Sequence, residues 1–331
     1  MTLKIEPASI TVGVVGLGLM GCSITTCLLM AQHRVVGIAA MATDMDKAQS
    51  RIKHHLLKSQ EEGLTKMEPE HYLDKLMLTE DYLKLEGCSL VIECTIEDII
   101  IKKKVYEKIE SVISSNALLT SNTSAIPISI LQNHTKNPER FFGLHWAEPS
   151  HTTRFLEIIC GDKSDIGKGE YIYELSHHWA KEPTLVRKDI RGFITNRLMY
   201  SMYREACYLV EQGYATIEDV DRACRNNPGY WMTFVGVFRW MDLTGVKAYH
   251  TVMKDLLPDL SHGTEVPKLI DDVVEAGGNG VSNAKGFYHY SNDEAQLWEE
   301  AFREFTYEIR QLAMKYPADL VASRLKDKGE G

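Results

Sequence analysis

The first half of this 331-residue chain alternates short apolar runs with amphipathic stretches. Thr11–Val15 is β-branched and apolar, and glycine-rich sequence separates it from a helical stretch running to about Gln32. The same alternation predicts strands at Arg34–Ala40, Leu76–Thr79, Ser89–Thr95, Ala117–Thr120, Phe141–Leu144 and Phe155–Ile159, and a last one holding Leu185–Val186. Helical patterns fall between them at Asp44–Glu62, Asp98–Ile113, Pro127–His134 and Gly169–Lys181. Strands alternating with helices predict βαβ units and a mostly parallel sheet. Near Arg191 the pattern becomes almost all helical. It predicts Phe193–Gln212, a helix capped at Thr216 and reaching about Cys224, then Trp231–Met241, Val246–Leu256, Val266–Ala276 and Asn292–Lys315. The expected organisation is an α/β domain, 1–189, followed by an all-helical domain, 190–331.

Composition narrows the function classes. Lys and Arg total 37 against 46 Asp and Glu, a net charge of −9, which opposes a general nucleic-acid binder. With 44% hydrophobic and 25% charged residues, the chain is an ordinary globular one rather than a disordered or fibrous one. Seven cysteines without a C-x-x-C pair favour buried thiols in a reducing compartment over a disulfide framework or a metal site. Cys22 opens a helix, where a thiol can be activated, but packing is the simpler account. Residues 10–32 carry no charge and are long enough on paper to span a bilayer. Gly13, Gly16, Gly18 and Gly21 interrupt them, and Lys4, offset by Glu6, makes a poor leader. The expectation is a buried strand and helix of a cytoplasmic protein with no membrane partner.

Gly16-Leu17-Gly18-Leu19-Met20-Gly21 is a G-x-G-x-x-G between a β-branched strand and a helix, the context that makes it a dinucleotide fingerprint. The first glycine permits the tight turn, the second lets a pyrophosphate approach the backbone, and the third lets helix and strand pack closely. The fold class expected is α/β, a Rossmann-type doubly wound sheet. The acid that should hold the adenosine ribose is missing, since its place falls near Ala39, with Asp44 and Asp46 a few residues later. No arginine follows Ala39 directly to welcome a 2′-phosphate, so NAD is favoured over NADP.

Further chemistry sits at strand ends. Ser121-Asn122-Thr123-Ser124 ends a strand where doubly wound sheets bind ligands. It can hold a substrate hydroxyl or simply cap the next helix. His145 stands near another strand end, and Glu157 lies among apolar neighbours twelve positions on, at 157 − 145. A buried carboxylate needs a partner. Paired with an imidazole it fixes the tautomer and leaves the other nitrogen for acid/base work.

Together these motifs resemble the L-3-hydroxyacyl-CoA dehydrogenase family nearly end to end. The likeness includes Leu90-Val91-Ile92-Glu93, Glu97-Asp98, the SNTS segment, Gly192-Phe193-Ile194-Thr195-Asn196-Arg197 and Lys285-Gly286-Phe287-Tyr288. The resemblance implies His145 as catalytic base, Glu157 as its orienting carboxylate, and Ser124 and Asn196 flanking the substrate oxygen. It implies Glu97 and Lys102 lining the nicotinamide side. The cofactor-binding set is then Gly16, Gly18, Leu19, Met20, Gly21, Glu97, Lys102 and Asn122, with no metal. It also implies a small-molecule substrate, a CoA ester first, a place in fatty acid metabolism and a homodimer through the helical domain. Trp231, Phe234, Val237, Phe238 and Trp240 leave little polar surface on that segment, as an interface would.

Glu148 departs from the pattern, standing where the family has an asparagine before proline. Near the reacting centre it would disfavour an anionic or thioester-enolate-like substrate unless His151 or Arg154 neutralised it, and would suit a cation or a hydroxyl. Free polyols and carnitine-like cations therefore stay open, and a free hydroxy acid or polyol acid is kept as a further alternative. Lys102-Lys103-Lys104 is a candidate for a CoA phosphate, although a charge run is usually a solvated helix face. Gly-Leu-Gly-Leu-Met-Gly also occurs in β-hydroxyacid dehydrogenases. That family uses a lysine in the helix corresponding to Gly192–Gln212, which here has none. A non-catalytic nucleotide-binding protein is the alternative of another class, and the presence of both His145 and Glu157 speaks against it.

Overall fold

The computed structural model describes residues 9–327, so Lys4 and Glu6 lie outside it. The chain divides after Thr195 into two compact units. The first holds one eight-stranded sheet of β1 (Thr11–Val15), β2 (Arg34–Ile38), β3 (Leu76–Thr79), β4 (Leu90–Glu93), β5 (Leu118–Ser121), β6 (Phe141–Trp146), β7 (Leu156–Cys160) and β8 (Thr184–Val186). The strand order is β3-β2-β1-β4-β5-β6-β7-β8. Only β6 and β7 pair antiparallel. Its helices are α1 (Leu19–Met30), α2 (Ala42–Glu61), α3 (Pro69–Leu73), α4 (Ile99–Glu110), α5 (Ile128–Leu131) and α6 (Ile166–His177). The order reverses between β1 and β4, which defines the switch point of a doubly wound Rossmann sheet.

The charge-free stretch follows from two-sided burial. Val12 and Val14 of β1 face one core cluster and Val15 the other, so an inner parallel strand has no polar side to offer. In α1 the run Gly21–Leu29 is wholly buried, with Ser23, Thr25 and Thr26 included. The segment after β6 covers its outer side, where the Ser150 N–H donates to the Ser23 hydroxyl at 2.7 Å. A helix of twelve residues is also shorter than the roughly 20 that a bilayer requires. Among the described residues no helix is long and apolar enough to cross a membrane.

Most predicted elements are present with shifted ends. Strand β2 stops at Ile38, ahead of Ala39. Strand β6 continues through Trp146, so His145 lies inside it. Helix α6 starts at Ile166 because Asp165 accepts from the Gly167 and Lys168 N–H groups. The five-residue α3, opened by Pro69, is too short for periodicity to reveal.

The second unit is helical, as expected. It holds α7 (Thr195–Glu211), α8 (Ile217–Asn226), α9 (Pro228–Met232), α10 (Val237–Thr244), α11 (Val246–Leu256), α12 (Lys268–Glu275), α13 (Asn292–Met314) and α14 (Leu320–Asp327). Two predictions are corrected. Helix α7 starts at Thr195, because Gly192 (φ +79°) and Phe193 (φ +52°) take left-handed backbone. The single helix expected at Trp231–Met241 is two, interrupted where Gly236 is extended before α10. Trp231 stacks on Trp240 across the break at 5.1 Å.

Candidate active site

The three loop glycines do three different jobs. Gly16 has φ +97°, and a Cβ there would lie 2.8 Å from the Cys94 carbonyl oxygen. A Cβ on Gly21 would stand 1.9 Å from the Gly16 carbonyl oxygen, so only glycine lets α1 pack on the loop. A Cβ on Gly18 would meet nothing within 4 Å. Gly18 therefore borders open space at the N-terminus of α1, where free N–H groups favour phosphate. This cradle fits the pyrophosphate of a dinucleotide. Leu19 beside it is 56% exposed, while Met20 packs on the core. Cys22 is buried, its Sγ 3.2 Å from the Leu17 carbonyl oxygen, and burial raises its pKa. The packing account of this thiol holds.

On the adenosine side, Ala39 is buried, and Asp44 lies in the first turn of α2. Arg51, further along α2, brings a guanidinium nitrogen to 4.0 Å from Cys22 Sγ.

The ends of β4 and β5 carry a buried polar cluster. Lys102 and Glu93 are both fully buried, and Lys102 Nζ donates to both Glu93 carboxylate oxygens at 2.9 Å. Lys102 is therefore no part of a solvated face or a CoA phosphate site. One turn into α4 it points back under β4, leaving Lys103 and Lys104 exposed. Glu97 lies 3.4 Å from Lys102 Nζ. Glu97 accepts from the Thr123 hydroxyl at 2.5 Å and from the Ser124 and Ala125 N–H groups at 3.0 and 3.1 Å. Burial works against its charge, but these hydrogen bonds and Lys102 hold its pKa below the usual range. In the SNTS segment Ser121 donates to Glu93 at 2.6 Å, and Asn122 accepts from the Trp146 N–H at 3.1 Å. Thr123 accepts from the Ile126 N–H at 3.0 Å, so part of the motif is the turn. Ser124 is exposed.

His145 and Glu157 are directly opposite in the β6–β7 ladder, where side chains of a facing pair meet. His145 Nδ1 lies 2.8 Å from Glu157 Oε2, with both side chains nearly buried. Phe155 meets the imidazole edge-on at 5.4 Å and Phe193 tilts against it at 5.5 Å. The other Glu157 oxygen accepts from the Ile194 and Thr195 N–H groups at 3.0 and 2.9 Å and from the Thr195 hydroxyl at 3.2 Å. Burial opposes its ionisation, but His145 and the Thr195 N–H overcome that and lower its pKa. A carboxylate so held orients the ring through Nδ1–H and leaves Nε2 to exchange a proton. The left-handed Gly192–Phe193 turn aims those N–H groups, a contribution that sequence reading missed. Asn196 follows Thr195 in α7 and is half-buried.

Glu148 is half-buried and precedes a cis Pro149. Burial raises its pKa against the Ser23 hydroxyl, the Ser150 N–H and the charges of Arg51 and Lys181. Those groups belong to the α1 side of the sheet. His151 is 3.0 Å from the Ser23 hydroxyl and stacks on His55 at 4.4 Å. Arg154 pairs with Glu182 at 3.1 Å.

A phosphate cradle at the switch point of a Rossmann sheet, with a helical second unit, defines an NAD-dependent oxidoreductase of the two-unit type. Comparison narrows the class. Residues 11–190 match the 3-hydroxyacyl-CoA dehydrogenase NAD binding domain, and residues 192–290 match the C-terminal domain of the same family. The chain belongs to the 3-hydroxyacyl-CoA dehydrogenase family, and its cofactor is NAD. It is 30% identical over 286 residues to 5-formyl-3-hydroxy-2-methylpyridine 4-carboxylate 5-dehydrogenase of Mesorhizobium japonicum, covering 86% of this chain and 92% of the relative. It is also 30% identical over 284 residues to 3-hydroxybutyryl-CoA dehydrogenase of Mycobacterium tuberculosis, covering 84% of this chain and 98% of the relative. A solved structure of a 5-dehydrogenase acting on that formyl-pyridine carboxylate, described as an NAD+ dependent dismutase, superposes with a TM-score of 0.85 at 28% identity, covering 93% of this chain and 99% of the other.

Proposed function

We propose that this enzyme oxidises C3 of a 3-hydroxyacyl substrate, in the first instance a CoA ester, with His145 and Glu157 as its acid/base pair. The observation that carries the reading is the buried 2.8 Å contact from His145 to a carboxylate already fixed by Ile194 and Thr195. Bound NAD supplies the hydride acceptor, and the protein's work is placement and proton traffic. Gly16, Gly18 and Gly21, with Leu19 and Met20, hold the pyrophosphate end. Asn122, Glu97 and Lys102 serve the nicotinamide side. His145 Nε2 takes the hydroxyl proton, and Glu157 offsets the charge gained by the imidazole. In reduction His145 returns that proton to the developing alkoxide. Ser124 and Asn196 donate hydrogen bonds to the substrate oxygen in both directions. Residues 1–189 form the nucleotide domain, and 190–331 bring substrate contacts and a homodimer interface. The setting is cytoplasmic fatty acid metabolism.

A second reading, a free ring-bearing or hydroxylated carboxylate, has its own support. The Mesorhizobium relative is named for a pyridine 4-carboxylate, and burial of Lys102 removes one cation from the run considered for a CoA phosphate. A substrate panel separates the two, followed by absorbance of reduced nicotinamide with NAD and with NADP. It compares 3-hydroxybutyryl-CoA, free 3-hydroxybutyrate, carnitine, sugar acids and 5-hydroxymethyl or 5-formyl pyridine carboxylates. Turnover of the CoA ester supports the first reading, and turnover confined to free acids supports the second. Reduction of NAD with none of them removes both.

A further inference from the structure

We propose that Glu93, Lys102 and Glu97 act as one charge unit that makes the bound cofactor favour its oxidised form, with Glu93 as the positioning residue. Glu93 is fully buried, yet every group aimed at it is a donor. Besides Lys102, the Ser121 hydroxyl donates at 2.6 Å, the Thr95 N–H at 2.6 Å, the Thr95 hydroxyl at 2.5 Å and the Tyr106 hydroxyl at 3.1 Å. A carboxylate receiving that many donors is fixed in place, with both oxygens engaged. Its ion pair fixes Lys102, whose Nζ also lies 3.4 Å from Glu97. Glu97 is anchored on its own account by Thr123, Ser124 and Ala125. Two carboxylates thus share one ammonium. The surplus negative charge rests on Glu97, the member that reaches solvent with 38% of its side chain exposed.

The strand order says what this charge faces. The glycine loop follows β1, and His145 lies near the end of β6, with β4 and β5 between them. Three strand spacings of about 4.8 Å make that span roughly 14 Å. Given His145 as the acid/base group, on which this inference rests, the reactive half of the cofactor crosses the ends of β4 and β5. There it meets Glu97. The nicotinamide ring is cationic when oxidised and neutral when reduced, so a fixed negative charge stabilises the oxidised form selectively. Such a site is poised to take up NAD+ and release NADH. Lys102 trims the field from two charges to one, and Glu93 keeps Lys102 where it can do so.

Calorimetric titration of the full chain with NAD+ and with NADH tests this without turnover. Glu93→Gln leaves Lys102 to neutralise Glu97, and Glu97→Gln leaves it to neutralise Glu93, so either variant brings the unit to zero. In both, the preference for NAD+ over NADH should fall roughly three- to tenfold, the effect of one charge in a half-screened site. Glu93→Gln combined with Lys102→Met restores a single negative charge and should restore the wild-type preference. An unmoved ratio in Glu97→Gln, or a double variant shifted as far as that single one, overturns the proposal. Glu97→Gln and the double variant suffice if Glu93→Gln does not fold. Failure of the acid/base reading shows separately, as unimpaired turnover in His145→Ala.

Discussion

At the scale of single residues, a lone acid in an apolar run is the most informative feature of the chain. Glu157 sits inside Leu156–Cys160 with every neighbour buried, and the cost of an unpaired buried charge demands a partner. His145→Ala should therefore lower kcat by the roughly 10²–10⁴-fold that general acid–base catalysis supplies. Glu157→Gln should lower it less and move the pH profile, while NAD affinity measured by calorimetry stays near the wild-type value. The two losses should not multiply in the double variant, and multiplication would mean independent residues. The depressed pKa of Glu157 also carries a stability consequence. An acid held below its unfolded value of about 4.3 stabilises the fold above that pH, and the contribution is lost as pH falls through the folded value. Melting temperatures of wild type and Glu157→Gln should thus converge on acidification below about pH 4.3. The same rule applies to Glu93, the last residue of Leu90-Val91-Ile92-Glu93, but its donors were not read from the sequence and the fold supplies them. The surroundings of Glu148 were not legible either. Ser23, Arg51 and Lys181 are far from it in sequence, and only the fold brings them to it.

At the scale of elements, the β1–loop–α1 unit was fully legible, because strand, glycine spacing and helix are all local. Its glycines allow a test that separates packing from ligand contact. Gly18→Val adds side-chain atoms into empty space, so thermal stability should hold while NAD binding is lost in calorimetry. Gly21→Ala should do the reverse first, lowering the melting temperature, since its Cβ would collide with backbone 1.9 Å away. Retained NAD affinity in Gly18→Val would remove the cradle from the pyrophosphate. On the far side of the loop, the Asp44 and Asp46 pair after β2 should repel a 2′-phosphate. We expect a higher kcat/KM with NAD than with NADP, and a reversed preference would point to Arg51 or Lys47 as phosphate ligands. Element ends were less legible than their existence. Whether β6 stops before or after His145 depends on its pairing with β7, and the break before α10 goes with the stacking of Trp231 on Trp240 across it. Periodicity contains neither contact.

At the scale of the whole molecule, the division into an α/β part and a helical part follows from the change of pattern near Arg191, and the two parts differ sharply in burial. The sheet unit has two extended apolar clusters. Among the described residues after Thr195, only Cys207, Thr306, Tyr307 and Arg310 are buried. Tyr230 and Phe238 are each 78% exposed, and Phe302, Trp298 and Phe305 are more than half exposed. The sequence registered the aromatic density of 231–240 but not the extent of this exposure, which depends on how few helix faces find a partner within the unit. Apolar surface on that scale usually marks an interface, and a second copy of the chain is the partner proposed above. Sedimentation should then give twice the mass of the chain, and the melting temperature should rise with protein concentration, as linkage requires of a dimer. Phe238→Glu tests the same face directly. A charge placed there leaves the isolated chain almost untouched, because the side chain it replaces already faces solvent. In a dimer it is driven into the interface without a partner. We expect this variant to sediment as a single chain and to melt at a lower temperature. NAD binding to the glycine loop should persist, since the loop lies in the other unit. A wild type that sediments as one chain at every concentration would refute the dimer and leave the exposed aromatics to some other partner.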